Sequence, residues 1–385
     1  MNKKVAIATI SALVIITLGF AGITMAEAKK NPINIGCTAG LTGPGALQFL
    51  RAVELLKGIV EDLNAAGGIN GRPIELFVAD DGSEPSRAVG NLKKFSQQNK
   101  CVAIYAANIS TVQLAAKLWA EQKHIPVMGV GASDKLLDEK GKSWWFMAVP
   151  PTGLCIEAAF PRIKKLGFTK VGFEGTALAW GTDGLATVKK FVPKYGFEFA
   201  GAILCEPKSK DLTIQARELR DKGAEAVLQI EYAPEMCVWA RALNDIDWHP
   251  LVISPVAHHI SDTLEICPKE LLDGWEGVAW GDFTKPLARE VLDKYEKYSG
   301  KRLEAQDLYF NWDGFQVLLE AIRISGNPDD PEAIRDALYK VKDFKTALGR
   351  KGAIGSFEIG RNHLMSSPED LVIKKVKSGK LQDIE

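Results

Sequence analysis

The chain has 385 residues, of which 46% are hydrophobic and 25% charged, the proportions of a globular protein long enough for two domains. Forty-eight basic residues balance forty-eight acidic ones, so no basic excess exists to draw nucleic acid or anionic lipid. Six cysteines (Cys37, Cys101, Cys155, Cys205, Cys237 and Cys267) lie far apart, without a C-x-x-C or a cysteine–histidine cluster at zinc-finger spacing.

The N-terminus reads as an export signal. Lys3-Lys4 precede an apolar run from Val5 to Thr24, followed by Ala26-Glu27-Ala28. The run is long enough to admit a membrane anchor as the rival reading. The Ala-x-Ala pattern before Lys29-Lys30-Asn31-Pro32 favours cleavage after Ala28. No cysteine follows the run directly, which argues against a lipid anchor. Residues 1–28 are therefore expected to be a signal peptide and the mature chain an exported, soluble monomer of charge about −1. Export permits disulfides, but six cysteines allow about 15 pairings; buried thiols with at most one bridge are the equal alternative.

From Asn31 onward, strand and helix patterns alternate. Ile33–Cys37 reads as a strand, Leu47–Asn64 as a helix with Leu50, Val53, Leu56, Ile59, Val60 and Leu63 at helical spacing, and Ile74–Val78 as the next strand. The glycines of Ala66–Pro73 end the helix and turn the chain. Then come helix Ser86–Gln97, strand Val102–Tyr105, helix Thr111–Gln122 and strand Pro126–Val130. A second series follows Pro150-Pro151. Its helices are Ile156–Leu166, Asp183–Val192, Leu212–Lys222 and Glu235–Leu243; its strands are Val171–Phe173, Ala200–Leu204, Ala226–Ile230 and Leu251–Ser254. Toward the C-terminus, Leu287–Tyr298, Asp313–Ser325 and Pro331–Val341 read as helices, Gly355–Ile359 and Leu371–Val376 as strands. Regular alternation of this kind predicts two α/β lobes, each a doubly wound parallel sheet.

No catalytic constellation emerges. Neither a phosphate-binding loop nor a G-x-S-x-G elbow is present. Gly129–Asp134 superficially resembles a dinucleotide fingerprint but lacks its third glycine. His258-His259, read as part of an extended segment, would point opposite ways and make a poor metal site, although one of them can face a cleft. Asp80-Asp81 reads as turn chemistry. Neither a cofactor nor a metal is expected.

Strand-to-helix junctions carry the positive signal. Ligands of doubly wound sheets bind outside the carboxyl ends of the strands. Three junctions with small polar residues stand out: Thr42–Ala46, Ala106–Thr111 and Gly131–Asp134. Asn108, Ser110, Thr111 and Ser133 sit at helix starts, where hydroxyls cap free amides and the same amides can hold a carboxylate.

These residues resemble a family. The chain is similar to the periplasmic substrate-binding proteins of branched-chain amino-acid ABC transporters, the leucine/isoleucine/valine type. The resemblance rests on Ile35-Gly36 through Leu41-Thr42-Gly43-Pro44, on Glu61–Arg72 with its N-A-A-G-G-I-N-G-R block, and on Ala79-Asp80-Asp81. It continues through Ile125–Ser133, Ala233-Pro234-Glu235-Met236 and Ser356-Phe357. It implies two Rossmann-like lobes joined by a three-segment hinge near Ala148–Pro151, Gly277–Trp280 and Arg361–Leu364. Lobe one would be 31–149 with 280–361, lobe two 150–279 with 362–385. The lobes would close on a ligand for delivery to ABC permease subunits.

By the same resemblance, Ser110 and Ser133 would hold a ligand carboxylate and the Ala132 carbonyl an ammonium. Tyr232 and Trp180 would close on the ligand from lobe two. Two positions depart from the pattern. Val256 stands where an acid should neutralise the ammonium, and Gln48 replaces an aromatic. A buried ammonium without a carboxylate is costly. Glu231 or Asp307 would have to substitute from another direction, while His258 and His259 suit an anion or a neutral acceptor. Trp180, Tyr232, Trp280, Tyr309 and Trp312 are aromatics placed to stack a flat ligand, Trp312 being as well suited to the core. The preferred ligand is thus a carboxylate lacking the α-ammonium, aromatic acids included. An aliphatic amino acid, a sensory role for the same trap, and a secreted α/β hydrolase are the alternatives.

Overall fold

The computed structural model describes residues 31–138, 140–365 and 370–384. The signal segment 1–28 lies outside these residues. Among the described residues no helix is long and apolar enough to cross a membrane.

The first half of the chain builds β1 (Ile33–Ala39), α1 (Ala46–Ala65), β2 (Ile74–Asp80), α2 (Pro85–Gln97), β3 (Ala103–Ala107), α3 (Ser110–Lys123), β4 (Val127–Gly129) and β5 (Trp145–Met147). Their strands form one parallel sheet in the order β2-β1-β3-β4-β5. Next come α4 (Thr152–Lys165), β6 (Lys170–Thr176), α5 (Ala179–Lys194), β7 (Glu198–Cys205), α6 (Thr213–Asp221), β8 (Ala226–Ile230), α7 (Ala233–Asp245), β9 (Leu251–Ser254), α8 (Ala257–Ile266) and β10 (Glu276–Ala279). The remainder is α9 (Pro286–Ser299), α10 (Asp307–Ile324), α11 (Pro331–Leu338), the two-residue strands β11 (Phe344–Lys345) and β12 (Ile354–Gly355), β13 (Val372–Lys377) and β14 (Lys380–Asp383). The second sheet runs β14-β13-β10-β9-β8-β6-β7, parallel except for the terminal hairpin β13–β14.

The chain passes between the sheets three times. It leaves the first after β5, leaves the second after β10 to pack α9 and α10 on α1, and returns to the second at β13. His363 still pairs with Met147 of the first sheet just before that return. Central strands are buried on both faces because helices cover both: all five residues of β3 and of β8 are buried, Gln229 of β8 among them. One continuous apolar core runs from Ile35 and Phe49 through Trp145, Phe160 and Phe173; a second fills the space between the second sheet and α6–α8 around Trp239.

Four local expectations need correction. His258 and His259 lie in the first turn of α8, not in an extended segment. The helical signal there is thin, Ile260 and Leu264 being the buried pair four residues apart. Helix α10 starts at Asp307 rather than Asp313, because its first turns are buried all round and show no amphipathic stripe. Of the expected strand Gly355–Ile359 only Gly355 lies in a strand, the end of β12, with the Glu358–Arg361 turn following. Strands β5, β10 and β14 were not foreseen at all. Cys237 and Cys267 form the one disulfide among the described residues, tying α7 to the end of α8; the other four cysteines are buried thiols.

Candidate functional site

The carboxyl ends of both sheets face one another across a cleft. Its walls combine Gln48, Phe49, Asn108–Ser110 and Val130–Ala132 from the first sheet's side with Trp180, Tyr232, Val256, His258 and His259 from the second. Trp280 and Phe310 complete it. The enclosed space is about 30 Å³, room for a water or two. A larger ligand enters only if the lobes part or the rings turn aside.

Each wall is held by its own hydrogen bonds. On the first side, the Gln113 amide donates to the Ala106 and Asn108 carbonyls at 3.0 and 2.8 Å and accepts from Gly131 N at 2.7 Å. A Cβ at Gly131 would stand 2.6 Å from that amide oxygen, so the loop approaches this closely only as glycine. Asn108 Nδ2 donates to Asp81 Oδ2 at 2.7 Å, which fixes the side chain and leaves its buried Oδ1 without a partner. Gln48 Oε1 is likewise buried and unpartnered. The Asp80-Asp81 pair thus does turn chemistry, Asp81 also accepting from Thr38 and Ser83 N.

Rings dominate the opposite wall. Trp180, Tyr232 and His259 lie within 5.0–5.3 Å of one another by centroids, and His258 stands 4.4 Å from His259. His258 contacts Trp280 and Phe310 at 5.0 and 5.4 Å. Trp180 Nε1 donates to Thr152 Oγ1 at 3.0 Å. Burial drives both histidines to the neutral form; His259 falls to about 3, helped by the nearby Arg51 charge.

No aspartate or glutamate lines the cavity. Val256 holds the position where one was expected, Asp307 is bound to Arg51, and Glu231 accepts from Tyr232 N among other buried acids. Neither acid substitutes for the missing partner. Instead, helices α3, α5, α7 and α8 begin at the cleft with cap residues Ile109, Leu178, Tyr232 and Val256, none of which makes a side-chain cap. Four positive dipole ends therefore converge there, although not every first-turn N–H is free: Ala179 N of α5 donates to Thr111 Oγ1 and Pro234 of α7 has none.

Nine expected residues line the cavity: Gln48, Asn108, Ser110, Ala132, Trp180, Tyr232, Val256, His258 and His259. Three do not. Thr111 Oγ1 accepts from Ala179 N at 3.1 Å across the cleft mouth. Tyr309 stacks on Phe283 at 4.5 Å, away from the cavity. Ser133 donates its hydroxyl to Asp183 of α5, whose carboxylate also takes Lys135 Nζ at 2.5 Å; a carboxylate of the protein thus sits where a ligand's was expected. Ser110 is not a cap: its hydroxyl accepts from Ser133 N at 3.3 Å. The Ala132 carbonyl accepts from Thr152 N and Oγ1 at 2.7 and 2.6 Å, so its acceptor capacity goes to the start of α4. Trp312 packs partly buried against the main core.

Residues that the sequence did not reveal close the cleft. Arg51 of α1 donates to both oxygens of Asp307 in α10 at 3.0 and 2.8 Å, and reaches across to Asp262 of α8 at 2.6 Å. Burial raises the pKa of both aspartates while Arg51 pulls each back down. Pairs separated by more than 200 positions leave no mark in a local pattern. Phe310 was missed because the start of α10 was.

A known family accounts for this architecture. The family model described as periplasmic binding protein matches residues 32–376. The Leu/Ile/Val-binding protein homolog 7 of Brucella suis biovar 1 (strain 1330) is 22% identical over 355 residues, covering 87% of this chain and 88% of the relative. A solute-binding protein of an ABC transporter from Rhodopseudomonas palustris BisB5, solved with 3,4-dihydroxybenzoic acid, superposes with a TM-score of 0.76 at 17% identity over 92% and 96% of the two chains. LivJ from Streptococcus pneumoniae, solved with isoleucine, gives 0.76 at 17% over 91% and 98%. Such proteins bind solutes and are not enzymes. With its family match spanning nearly all of the described residues and two doubly wound lobes facing one cleft, the chain belongs to the periplasmic binding protein family and has the type I fold.

Proposed function

We propose that this protein captures a small carboxylate without an α-ammonium group, aromatic acids foremost, and delivers it to an ABC importer. The supporting observation is the charge character of the cleft: no acidic side chain for an ammonium, but three helix N-termini, those of α3, α7 and α8, that lack a side-chain cap from their cap residue and suit an anion. Rings on Trp180, Tyr232 and Trp280 offer faces to a flat ligand. The acceptor oxygens of Asn108 and Gln48 favour a ligand carrying hydroxyl donors as well. The relative solved with a dihydroxybenzoate agrees with this reading. The hinge would fall near 148–151, 277–280 and 361–364, with lobes 31–149 plus 280–361 and 150–279 plus 362–385. Export after Ala28 and a monomeric state complete the proposal.

An aliphatic amino acid is the second reading. The same two amide oxygens could accept from an ammonium, and LivJ was solved with isoleucine. Thermal-shift screening of residues 29–385 against hydroxylated and plain benzoates, aliphatic acids and aliphatic amino acids separates the two. A specific ligand stabilises by about 2.7 kcal/mol at a hundredfold excess over Kd. Shifts confined to leucine-like amino acids would reverse the preference. Val256→Glu should abolish the response to acids and leave or improve that to amino acids.

A further inference from the structure

Beneath the cleft floor of the second lobe, three side chains that the solute site does not use meet in the core. Glu174 projects from β6, Cys205 ends β7, and Glu231 follows β8. One donor atom from each lies within 4.8 Å of the other two. Glu174, Glu231 and Cys205 are 0%, 1% and 3% exposed.

Their partners are too few for this burial. Cys205 Sγ donates to Glu174 Oε1 at 3.2 Å, and Tyr232 N donates to Glu231 Oε1 at 3.0 Å. Glu174 Oε2 and Glu231 Oε2 have no partner. Gln229 supplies an independent sign. It sits opposite Glu174 in the β6–β8 register, so both side chains leave the same face of the sheet. It is fully buried, and its amide comes close enough to Glu174 to lower that carboxyl's pKa while neither of its atoms makes a hydrogen bond of ordinary length and angle. No lysine or arginine acts on either glutamate. Orphaned buried polar atoms of this number call for a missing partner.

We propose that Glu174, Cys205 and Glu231, with the Gln229 amide oxygen as fourth donor, form a binding site for a tetrahedral divalent transition-metal ion of the zinc class. A mixed sulfur–oxygen set of four suits such an ion, whereas calcium and magnesium require six or more oxygens. Binding transfers the thiol and carboxyl protons to solvent. The ion would also brace the cleft, because Glu231 leads directly into the wall residue Tyr232 and its carboxylate accepts from Tyr232 N.

The test uses mature protein stripped with chelator and incubated with Co²⁺ and, separately, Zn²⁺. The expected results are one equivalent bound per chain, a near-ultraviolet thiolate-to-cobalt charge-transfer band, and a higher Tm. Cys205→Ser should remove the band while Cys37→Ser, Cys101→Ser and Cys155→Ser keep it. Glu174→Gln with Glu231→Gln, close in volume, should fold and lose the metal-dependent rise in Tm. Absence of the band from wild-type protein overturns the site, whatever the variants do. So does a band that survives Cys205→Ser.

Discussion

Asp262→Asn weakens the shorter of the two ion pairs by which Arg51 holds α8 across the cleft, the other being Glu265 at 3.8 Å. Arg51 and Asp307 belong to elements packed on the first lobe, Asp262 to a helix of the second. The substitution takes the charge off the acceptor of a 2.6 Å bond with hardly any change in volume, leaving a neutral amide oxygen as a weaker acceptor. Arg51 keeps its two bonds to Asp307, so the loss is that of a single charge-assisted bond and not of a whole buried pair. Such a bond contributes about 1.5–3 kcal/mol. Asp262 is 5% exposed, so little of this is lost to solvent screening. Because the contact spans the two lobes, complete loss of it would lower the closed population relative to the open one about 10- to 150-fold, and the acceptor oxygen that asparagine retains sets the expected change toward the lower end. Calorimetric titration with the ligand found by screening should show Kd weakened toward that factor, and small-angle scattering of the free protein should show a larger radius of gyration. Asp307→Asn is the control: it breaks a bond within one lobe and should lower Tm without the same gain in radius. An Asp262→Asn protein with unchanged Kd and unchanged radius would refute the reasoning, since Arg51 would then not restrain the lobes.

Ser133 and Asp183 should behave as a coupled pair. Ser133→Ala and Asp183→Asn are each expected to weaken ligand binding, with a coupling of about 1–2 kcal/mol in a double-mutant cycle; additive effects would return Ser133 to direct contact with the ligand. His259 sets a pH dependence. Its folded pKa of about 3 lies below the unfolded value near 6.5, so the unfolded chain takes up the proton first and stability is lost as pH falls below about 6.5. Wild type minus His259→Asn, measured by urea unfolding, should therefore drop by about 2 kcal/mol between pH 7.5 and pH 5; a flat difference would mean that His259 is solvated. Replacing Cys237 and Cys267 together by alanine opens a cross-link spanning 30 residues and should cost about 3–4 kcal/mol of unfolding free energy. Equal denaturation midpoints with and without the bridge would contradict that.

The architecture was legible in the local pattern of the chain. Period-3.6 runs such as Leu47–Asn64 and short apolar strands such as Ala226–Ile230 alternate because each element must bury one face or both against its neighbours, and that pattern is local. It also located the strand-end junctions and the substitution at Val256, since both depend on position along the chain. Only tertiary structure decided what those junctions do. Ser133 answers Asp183 fifty residues on, Arg51 answers Asp262 and Asp307 more than two hundred residues away, and the Ala132 carbonyl is claimed by Thr152. The pairing of Cys237 with Cys267 was equally out of reach, as six scattered thiols carry no record of which helices will lie side by side. A side chain's type sets which bonds it can form; the packing of distant elements sets which partner is within 3 Å.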